Sequence, residues 1–438
     1  MSTTAFYTRA YNAEKTVRQA IESVLCQTRA DFSYYLIENG STDGTREIIK
    51  SYAAQDARIK PIYEDKNNPR AGVPILKAIC KEYQYYAVLD ADDEYLPDFH
   101  EKTLSFLEEN DLDIATCGSY FIDAQSGDTT GIRKFKHDFI IKDAAEFSEF
   151  FTSFHLHMRP LWGKLYRVST LKKFDFENYK LLAKAGTQSD TLFNFKVMQV
   201  AERFGILALP LHKYYLSSGS GSRIFDEKRI SADRILDDET RAVLLDKCGV
   251  ITPQNDRFLG LVYTSCVKDT IKILVKSKNP VNEKLAGLQN IIFSKHTKRA
   301  MDSPELDNRK RGVFELAMDW LLAQNICRET EGAKGAAEMI VEMYPQLMKI
   351  TDKSALVQWI IEIPESMVKV NAFELIVDWL LSQSSRSEDD GASKVAEIIM
   401  AMYPQMTMIT DKNALVQLIR EVPETVMQML REYSNLGL

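Results

Sequence analysis

Short apolar runs alternate with amphipathic segments over the first hundred residues, and this alternation constrains the fold more than any other feature of the chain. Such a pattern is typical of βα units stacked on a largely parallel sheet. Strands are predicted at Thr4–Thr8, which is short and edge-like, at Tyr34–Ile37 and at Tyr85–Leu89. Helices are predicted at Ala13–Gln27 and Asp43–Tyr52, where apolar residues recur with helical spacing. The loops that follow the strands are therefore the expected place for a ligand, because strand ends diverge there.

The pattern changes near residue 226, where strand-like segments end and long helical patterns begin. Helices are predicted at Lys228–Lys247 and Asn255–Ser277. We therefore predict three parts: an α/β domain at residues 1–225, a helical linker domain at residues 226–312 and a helical repeat module at residues 313–438.

The last part contains an internal repeat. The segment Phe314–Leu322 returns as Phe373–Leu381, and Tyr344-Pro-Gln returns at Tyr403, with an offset of 59 residues. The two copies, at about residues 314–372 and 373–431, each predict three short helices in a small solenoid-like array. We expect this module to mediate homo-oligomer formation or to dock a protein partner.

Bulk properties exclude several classes of partner. The net charge of −7 over 438 residues argues against sequence-independent binding of nucleic acid. No apolar run approaches the roughly 18 residues of a membrane span, and the six cysteines contain no CxxC pair. The expected location is the cytoplasm, with at most peripheral contact at the inner face of the membrane.

A cluster of carboxylates stands at the end of the third predicted strand, in Val88-Leu-Asp90-Ala-Asp92-Asp93. Crowded carboxylates repel one another, and a divalent cation such as Mn²⁺ or Mg²⁺ relieves that repulsion. The alternative is that one aspartate caps the turn before Pro97 while the others are solvated. Spacing leaves both interpretations open.

Two other segments have the composition of a functional loop. The turn Glu38–Thr45 joins a strand to a helix and can offer polar side chains and backbone amides to a nucleotide, or can be a plain capped loop. Asp190 opens a predicted helix, where a carboxylate can serve as a general base or as a helix cap.

Several motifs occur together in one order, and in that order they resemble the family 2 glycosyltransferases, which have the GT-A fold. The resemblance covers roughly residues 1–225. The matching segments are Arg9–Glu14, Ser23–Thr28, Asn39–Thr45, Leu89–Asp93, Trp162–Arg167, the Asp190 segment and Pro210–Ser220.

The resemblance implies a metal-dependent, inverting transfer of a sugar from a nucleotide diphosphate, with UDP as the expected nucleotide, to a hydroxyl acceptor. Asp190 then corresponds to the catalytic base, and Asp92 with Asp90 to the metal ligands. By family analogy the product belongs to bacterial surface polysaccharide or glycoconjugate assembly. The residues matching the donor-binding positions are Thr8, Ala10, Tyr11, Glu14, Glu38, Asn39, Arg70, Asp90 and Ala91.

The same resemblance suggests a closing segment and an acceptor side. Lys213, Ser220 and Arg223 are expected to close over the diphosphate, with a flexible exit from the domain as the alternative. His157, Arg159 and Trp162 are expected to contact the acceptor.

The chain also departs from the family pattern. Glu38 and Asn39 replace two aspartates, and Ser189 replaces a glutamate. These departures keep open a non-catalytic scaffold built on a degenerate transferase domain, with the repeats as an interaction module.

Overall fold

The computed structural model describes residues 3–68, 71–174, 188–217, 225–226, 228–301, 307–324, 329–343, 347, 352–363, 372–384, 391–402, 412–421 and 426. The chain divides into two compact units, which we call the first unit and the second unit. The first unit comprises residues 1–223 and 235–255, and the second comprises residues 224–234 and 256–438. The first unit thus includes a segment beyond residue 225, where the α/β domain was predicted to end.

The first unit is built on one mixed sheet, with strand order β3-β2-β1-β4-β9-β6-β10-β5 and with β7 on β6 and β8 on β10. The pairs β3-β2, β2-β1 and β1-β4 are parallel, as predicted. The strands are β1 (Thr4–Ala10), β2 (Phe32–Asn39), β3 (Ile59–Glu64), β4 (Tyr85–Val88), β5 (Glu94–Tyr95), β6 (Ile114–Asp123), β7 (Thr129–Arg133), β8 (Phe139–Ile141), β9 (Lys164–Arg167) and β10 (Phe204–Leu216).

The prediction that the first strand is edge-like was wrong, because β1 pairs on both sides. The strand is central, and the hydroxyl groups of its two threonines are buried and bonded. Thr8 Oγ1 donates to the Leu89 carbonyl at 2.8 Å, and Thr4 Oγ1 lies 2.8 Å from His100 Nε2. A central β1 places its carboxyl end beside that of β4, which is where the carboxylate loop begins.

Helices flank this sheet and supply its apolar cover. In α1 the buried residues Val17, Ala20, Ile21 and Val24 form the face that helical spacing predicted. The helices of this part are α1 (Val17–Leu25), α2 (Thr45–Gln55), α3 (Gly72–Glu82), α4 (Phe99–Glu109), α5 (Ala144–Met158), α6 (Val168–Leu171) and α7 (Ser189–Val200).

The remaining helices form the helical region predicted after residue 226, and no strand occurs among its described residues. One hydrophobic core runs through the second unit from Ile230 to Val426, so the predicted boundary after residue 312 does not separate two cores. The helices are α8 (Lys228–Cys248), α9 (Pro253–Lys276), α10 (Val281–Ile292), α11 (Lys295–Met301), α12 (Asp307–Leu322), α13 (Thr330–Met343), α14 (Lys353–Glu362), α15 (Ala372–Ser384), α16 (Gly391–Met402) and α17 (Lys412–Glu421).

Two of these helices recur at the offset of the sequence repeat. Helices α14 and α17 have equal length and begin 59 residues apart, as 412 − 353 shows. An ion pair recurs with them, joining Lys353 to Glu338 and Lys412 to Glu397, each at 2.5 Å. Among the described helices of the whole chain, none combines the length and the apolar character needed to cross a membrane.

Candidate active site

A loop of three aspartates follows β4 at the carboxyl edge of the parallel strands. One carboxylate oxygen from each of Asp90, Asp92 and Asp93 lies within 4.8 Å of the others. Burial, followed by repulsion from Asp93, Asp190 and Asp92, raises the pKa of Asp90 well above its ordinary value. Negative charge is therefore concentrated here without enough protein cations to balance it.

Asp93 is tied into the sheet rather than presented to a ligand. Its Oδ1 accepts a hydrogen bond from the Tyr215 amide at 3.0 Å, and its Oδ2 lies 3.2 Å from Nε2 of the buried His212. The His212 ring stacks on Trp162 with centroids 4.3 Å apart. These contacts give His212 a packing role, and they leave Asp90 and Asp92 as the carboxylates available to a cation.

The donor set suits Mg²⁺ or Mn²⁺. Both ions take oxygen ligands near 2.1 Å, so two ligand atoms of one ion lie at most about 4.2 Å apart. The aspartate oxygens are already close to that spacing. The raised pKa of Asp90 shows that its negative form is disfavoured, and a bound dication would relieve this. The predicted metal ligands Asp90 and Asp92 fit the ion chemically.

Asp190 lies in the first turn of α7, and its charge acts on the ionisable groups around the aspartate loop. Burial raises the pKa of Asp190, while the cation of Arg9 opposes that rise. The charge of Asp190 in turn raises the pKa of Asp90. Burial also raises the pKa of Tyr7 to about 12, with Asp90 and Asp190 both adding to the shift. Asp90, Asp190, Tyr7 and Arg9 therefore lie within electrostatic range of one another.

The sequence analysis missed Asn194, one helical turn after Asp190 on α7. Asn194 Nδ2 donates to the carbonyls of Arg159 at 3.0 Å and Pro160 at 2.7 Å, and its Oδ1 accepts from the Tyr166 hydroxyl at 2.5 Å. The side chain is fully buried. Asn194 thus ties the helix that carries Asp190 to the segment predicted to contact the acceptor.

Lys164 reinforces the same segment. Its Nζ donates to the carbonyls of His157 at 2.8 Å and Pro160 at 2.6 Å. Burial lowers the pKa of Lys164 well below its ordinary value. The buried Lys164 amine thus binds two carbonyls of this segment, and the sequence alone does not distinguish it from the many surface lysines.

Removing the clamp of Asn194 should destabilise the first unit. We expect Asn194→Ala to lower the free energy of unfolding by about 2–4 kcal/mol, because three hydrogen bonds are lost in a buried place, and the Arg159 carbonyl, the Pro160 carbonyl and the Tyr166 hydroxyl each lose one of them. Thermal unfolding measures the change. Asn110→Ala is the matched control, since Asn110 makes one bond to the Phe106 carbonyl, at 2.9 Å. Equal shifts in the two variants would contradict the expectation.

The residues predicted for the nucleotide edge lie at the carboxyl ends of β1 and β2. Ala10 is buried, Tyr11 is 45% exposed, and Glu14 Oε2 accepts a hydrogen bond from the Gly44 amide at 2.8 Å. The Thr8 hydroxyl is bonded inside the sheet. Backbone groups and the Tyr11 ring are therefore what this edge offers to a ligand.

Glu38 and Asn39, which depart from the family pattern, are both engaged within the protein. Glu38 is fully buried, and its Oε2 accepts from Arg46 Nε at 2.6 Å. Asn39 Nδ2 donates to Asn67 Oδ1 at 2.8 Å, and Asn39 Oδ1 accepts from the Asn68 amide at 3.1 Å. These side chains fix the turn after β2 and the loop beside it. A nucleotide base would therefore bind to a surface that these hydrogen bonds already hold in place.

The predicted closing segment is only partly described. Lys213 lies inside β10 and pairs with Glu94 at 3.1 Å, so contact with a diphosphate would have to replace that ion pair. Ser220 and Arg223, and also Arg70 near β3, lie outside the described residues.

The predicted acceptor residues lie at and after the end of α5. His155 and His157 stand on this helix rather than on a strand or loop, because the segment is amphipathic and is capped by Asp143. Burial lowers the pKa of His157 to about 4, so its imidazole is neutral at pH 7. Arg159 Nη2 donates weakly to Gln188 Oε1 at 3.5 Å, which links the acceptor side to the start of α7.

Residues 7–174 match the family described as Glycosyl transferase family 2. The first unit therefore contains a family 2 glycosyltransferase domain, as the motifs predicted, and this match together with the observed sheet confirms the predicted GT-A fold.

Individual relatives agree with this class. The chain is 32% identical to an uncharacterized glycosyltransferase of Methanocaldococcus jannaschii, over 37% of this chain and 55% of that protein. It is 35% identical, over 30% of this chain and 50% of that protein, to TuaG of Bacillus subtilis, whose name assigns it provisionally as a teichuronic acid biosynthesis glycosyltransferase. The chain thus spans about half the length of these relatives.

A solved structure of S. aureus TarS (residues 1–349) in complex with UDP aligns with 82% of this chain and 90% of that chain, at 14% identity and a TM-score of 0.41. A score this low supports no inference about the present protein.

Proposed function

We propose that the protein is a metal-dependent, inverting glycosyltransferase that moves a sugar from a nucleotide diphosphate donor to a hydroxyl group of an acceptor. The observation that carries the proposal is the electrostatic interaction of Asp190 with Asp90 in a family 2 domain. A donor-side carboxylate and a candidate base are the two groups that this reaction needs within reach of each other.

Each part of the cleft has a role in the proposed reaction. Asp90 and Asp92 would hold Mn²⁺ or Mg²⁺, which supplies positive charge to the departing diphosphate. Asp190 accepts the proton of the acceptor hydroxyl as that oxygen attacks the anomeric carbon, and the bond from that carbon to the diphosphate breaks. Arg9, whose charge acts on Asp90 and Asp190, would attract the anionic donor.

UDP-sugars are the proposed donors, and a polysaccharide or related glycoconjugate is the proposed acceptor. The proposal of a UDP-sugar follows the resemblance to the family. Glu38 and Asn39 differ from the family pattern at the nucleotide edge, so the identity of the base is the part to test. The proposed acceptor is supported by the name of TuaG among the relatives. The helical second unit is proposed to bind a partner or a second copy of the chain.

The direct test is transfer or slow hydrolysis from UDP-, GDP- and dTDP-sugars, with and without Mn²⁺. We expect one nucleotide class to react in the presence of Mn²⁺ and not in the presence of a chelator. Proton NMR of the first product should show the inverted anomeric configuration. If no donor reacts and no nucleotide diphosphate raises the melting temperature with Mn²⁺, the alternative of a non-catalytic scaffold replaces this proposal.

The pH dependence of kcat/KM should show Asp190 as the base. Because burial raises the pKa of Asp190 and only the ionised form accepts a proton, activity should rise with pH through this raised pKa. Arg9 lowers that pKa, so Arg9→Gln should move the acid limb of the profile to higher pH. The measurement is kcat/KM at saturating Mn²⁺ from pH 5 upward. An acid limb that stays in place, or moves to lower pH, contradicts the assignment.

A further inference from the structure

Arg133, the last residue of β7, is a half-buried cation. Its Nη1 donates to the Leu156 carbonyl at 3.1 Å, and its guanidinium lies 5.1 Å from the ring centroid of Trp162 and 5.3 Å from that of Phe121. No acidic side chain of the described residues forms an ion pair with it. Burial, followed by the like charge of Arg159, lowers the pKa of Arg133 to about 10, so the group is still charged at neutral pH.

The register of the sheet fixes where this cation lies. Arg133 is paired with Ser119 on β6, and Ser119 is paired with His212 on β10. The Cα of Arg133 therefore lies two strand spacings, about 10 Å, from the Cα of His212, the histidine that faces Asp93. Its bond to Leu156 fastens it to the end of α5, which leads into the predicted acceptor segment. It thus lies on the acceptor side, away from the aspartate loop.

The surroundings of Arg133 do not compensate its charge. Arg159 is a second cation, and its described partner, Gln188, is neutral. Lys164 donates only to carbonyls. A partly buried cation without a counter-charge is unfavourable, and proteins normally provide an acidic partner. A planar guanidinium also binds carboxylate and phosphate groups through two parallel hydrogen bonds.

We propose that Arg133, together with Trp162 and Arg159, forms a subsite that binds an anionic group, either a carboxylate or a phosphate, carried by the acceptor. This inference rests on the proposed function, because it specifies the acceptor of that same reaction. The two arginines offer fork-shaped donors to the anion. Trp162, which stacks on His212 and Tyr214, packs against the Arg133 guanidinium and reports on its surroundings.

Binding of defined saccharides tests the subsite without any transfer assay. Tetragalacturonate and maltotetraose differ in carrying or lacking carboxylates, and glucose 6-phosphate and glucose differ by a phosphate. We expect titration calorimetry to show each anionic ligand binding at least about tenfold more tightly than its neutral counterpart, with the difference shrinking in high salt. Arg133→Gln should abolish the difference, and Arg133→Lys should retain part of it.

Arg29→Gln is the matched control, because it removes the same charge from the first unit at an arginine already paired with Asp31. Circular dichroism shows whether each variant is folded. If Arg133→Gln is not folded, the test rests on Arg133→Lys, which should reduce the preference for anionic saccharides several-fold. Trp162 is the only tryptophan of the first unit, so its fluorescence should respond to the anionic ligands in the wild type. Trp162→Phe should remove that response.

Three results overturn the subsite: equal binding of charged and neutral saccharides, unchanged binding in the folded Arg133 variants, or a charge preference seen only between UDP-glucuronate and UDP-glucose. The last result would assign Arg133 to the donor. Binding of UDP, GDP and dTDP with Mn²⁺ is measured in parallel. If none of the three binds, the proposed function is overturned, whereas nucleotide binding without saccharide discrimination overturns only the subsite.

Discussion

Asp190→Asn should lower kcat by about 10²- to 10⁴-fold while leaving the affinity for UDP and Mn²⁺ unchanged. Asparagine has nearly the same shape as aspartate but cannot accept the proton of the acceptor hydroxyl. Because the pKa of this carboxyl group is raised in the folded protein, losing its charge should not destabilise the fold. Steady-state kinetics, UDP titration with Mn²⁺ and thermal unfolding together separate a lost base from a lost site.

The control for this variant is Asp128→Asn, a change of an exposed carboxylate in the same unit. It should leave kcat within a factor of about two, because surface substitutions away from a site have small effects. If Asp190→Asn retains half of the wild-type kcat, then Asp190 is not the base. If it loses UDP binding as well, its place is on the donor side of the cleft.

Asp92→Asn should abolish the effect of Mn²⁺ on donor binding and, at the same time, stabilise the metal-free protein. The charge of Asp92 raises the pKa of Asp90 and of Asp93, which shows that the three groups repel one another. Removing one charge should raise the free energy of unfolding without metal by about 0.5–2 kcal/mol. Electron paramagnetic resonance of bound Mn²⁺ and the melting temperature with and without the ion measure the two effects.

The sign of the pH effect follows from the same repulsion. The folded protein binds protons at Asp90 and Asp93 more tightly than the unfolded chain, since both pKa values are raised. These groups therefore stabilise the metal-free fold as pH falls through the raised pKa values. Asp92→Asn should make that gain smaller. A variant that melts lower than the wild type without metal, or that still binds Mn²⁺ normally, contradicts the assignment of Asp92.

Much of the first unit could be predicted from local patterns. The apolar run before Asp90 predicts a buried strand that ends in carboxylates, and the spacing within α1 predicts its buried face. These features depend on residues close together in the chain, so sequence periodicity reports them directly. Asp190 was recognised as a candidate base for the same reason, because its motif stands at the start of a helix.

The remainder depended on contacts that sequence spacing does not encode. The bond from Asn39 to Asn67 and the bonds from Asn194 to Arg159 and Pro160 join residues roughly 30 positions apart. Arg133 reaches Trp162 only because of the register of β7 on β6. β1 was misplaced because threonines that are bonded inside a sheet look the same in sequence as threonines that face water.

Helix α7 carries Asp190 in its first turn and Asn194 one turn later, with the latter fastened to the backbone that precedes Trp162. A rigid helix cannot tilt at one of these residues without displacing the other. Substitutions near Asn194 that change the preferred acceptor should therefore often change turnover too. Laboratory selection for a new acceptor should succeed most easily at side chains that do not contact this helix.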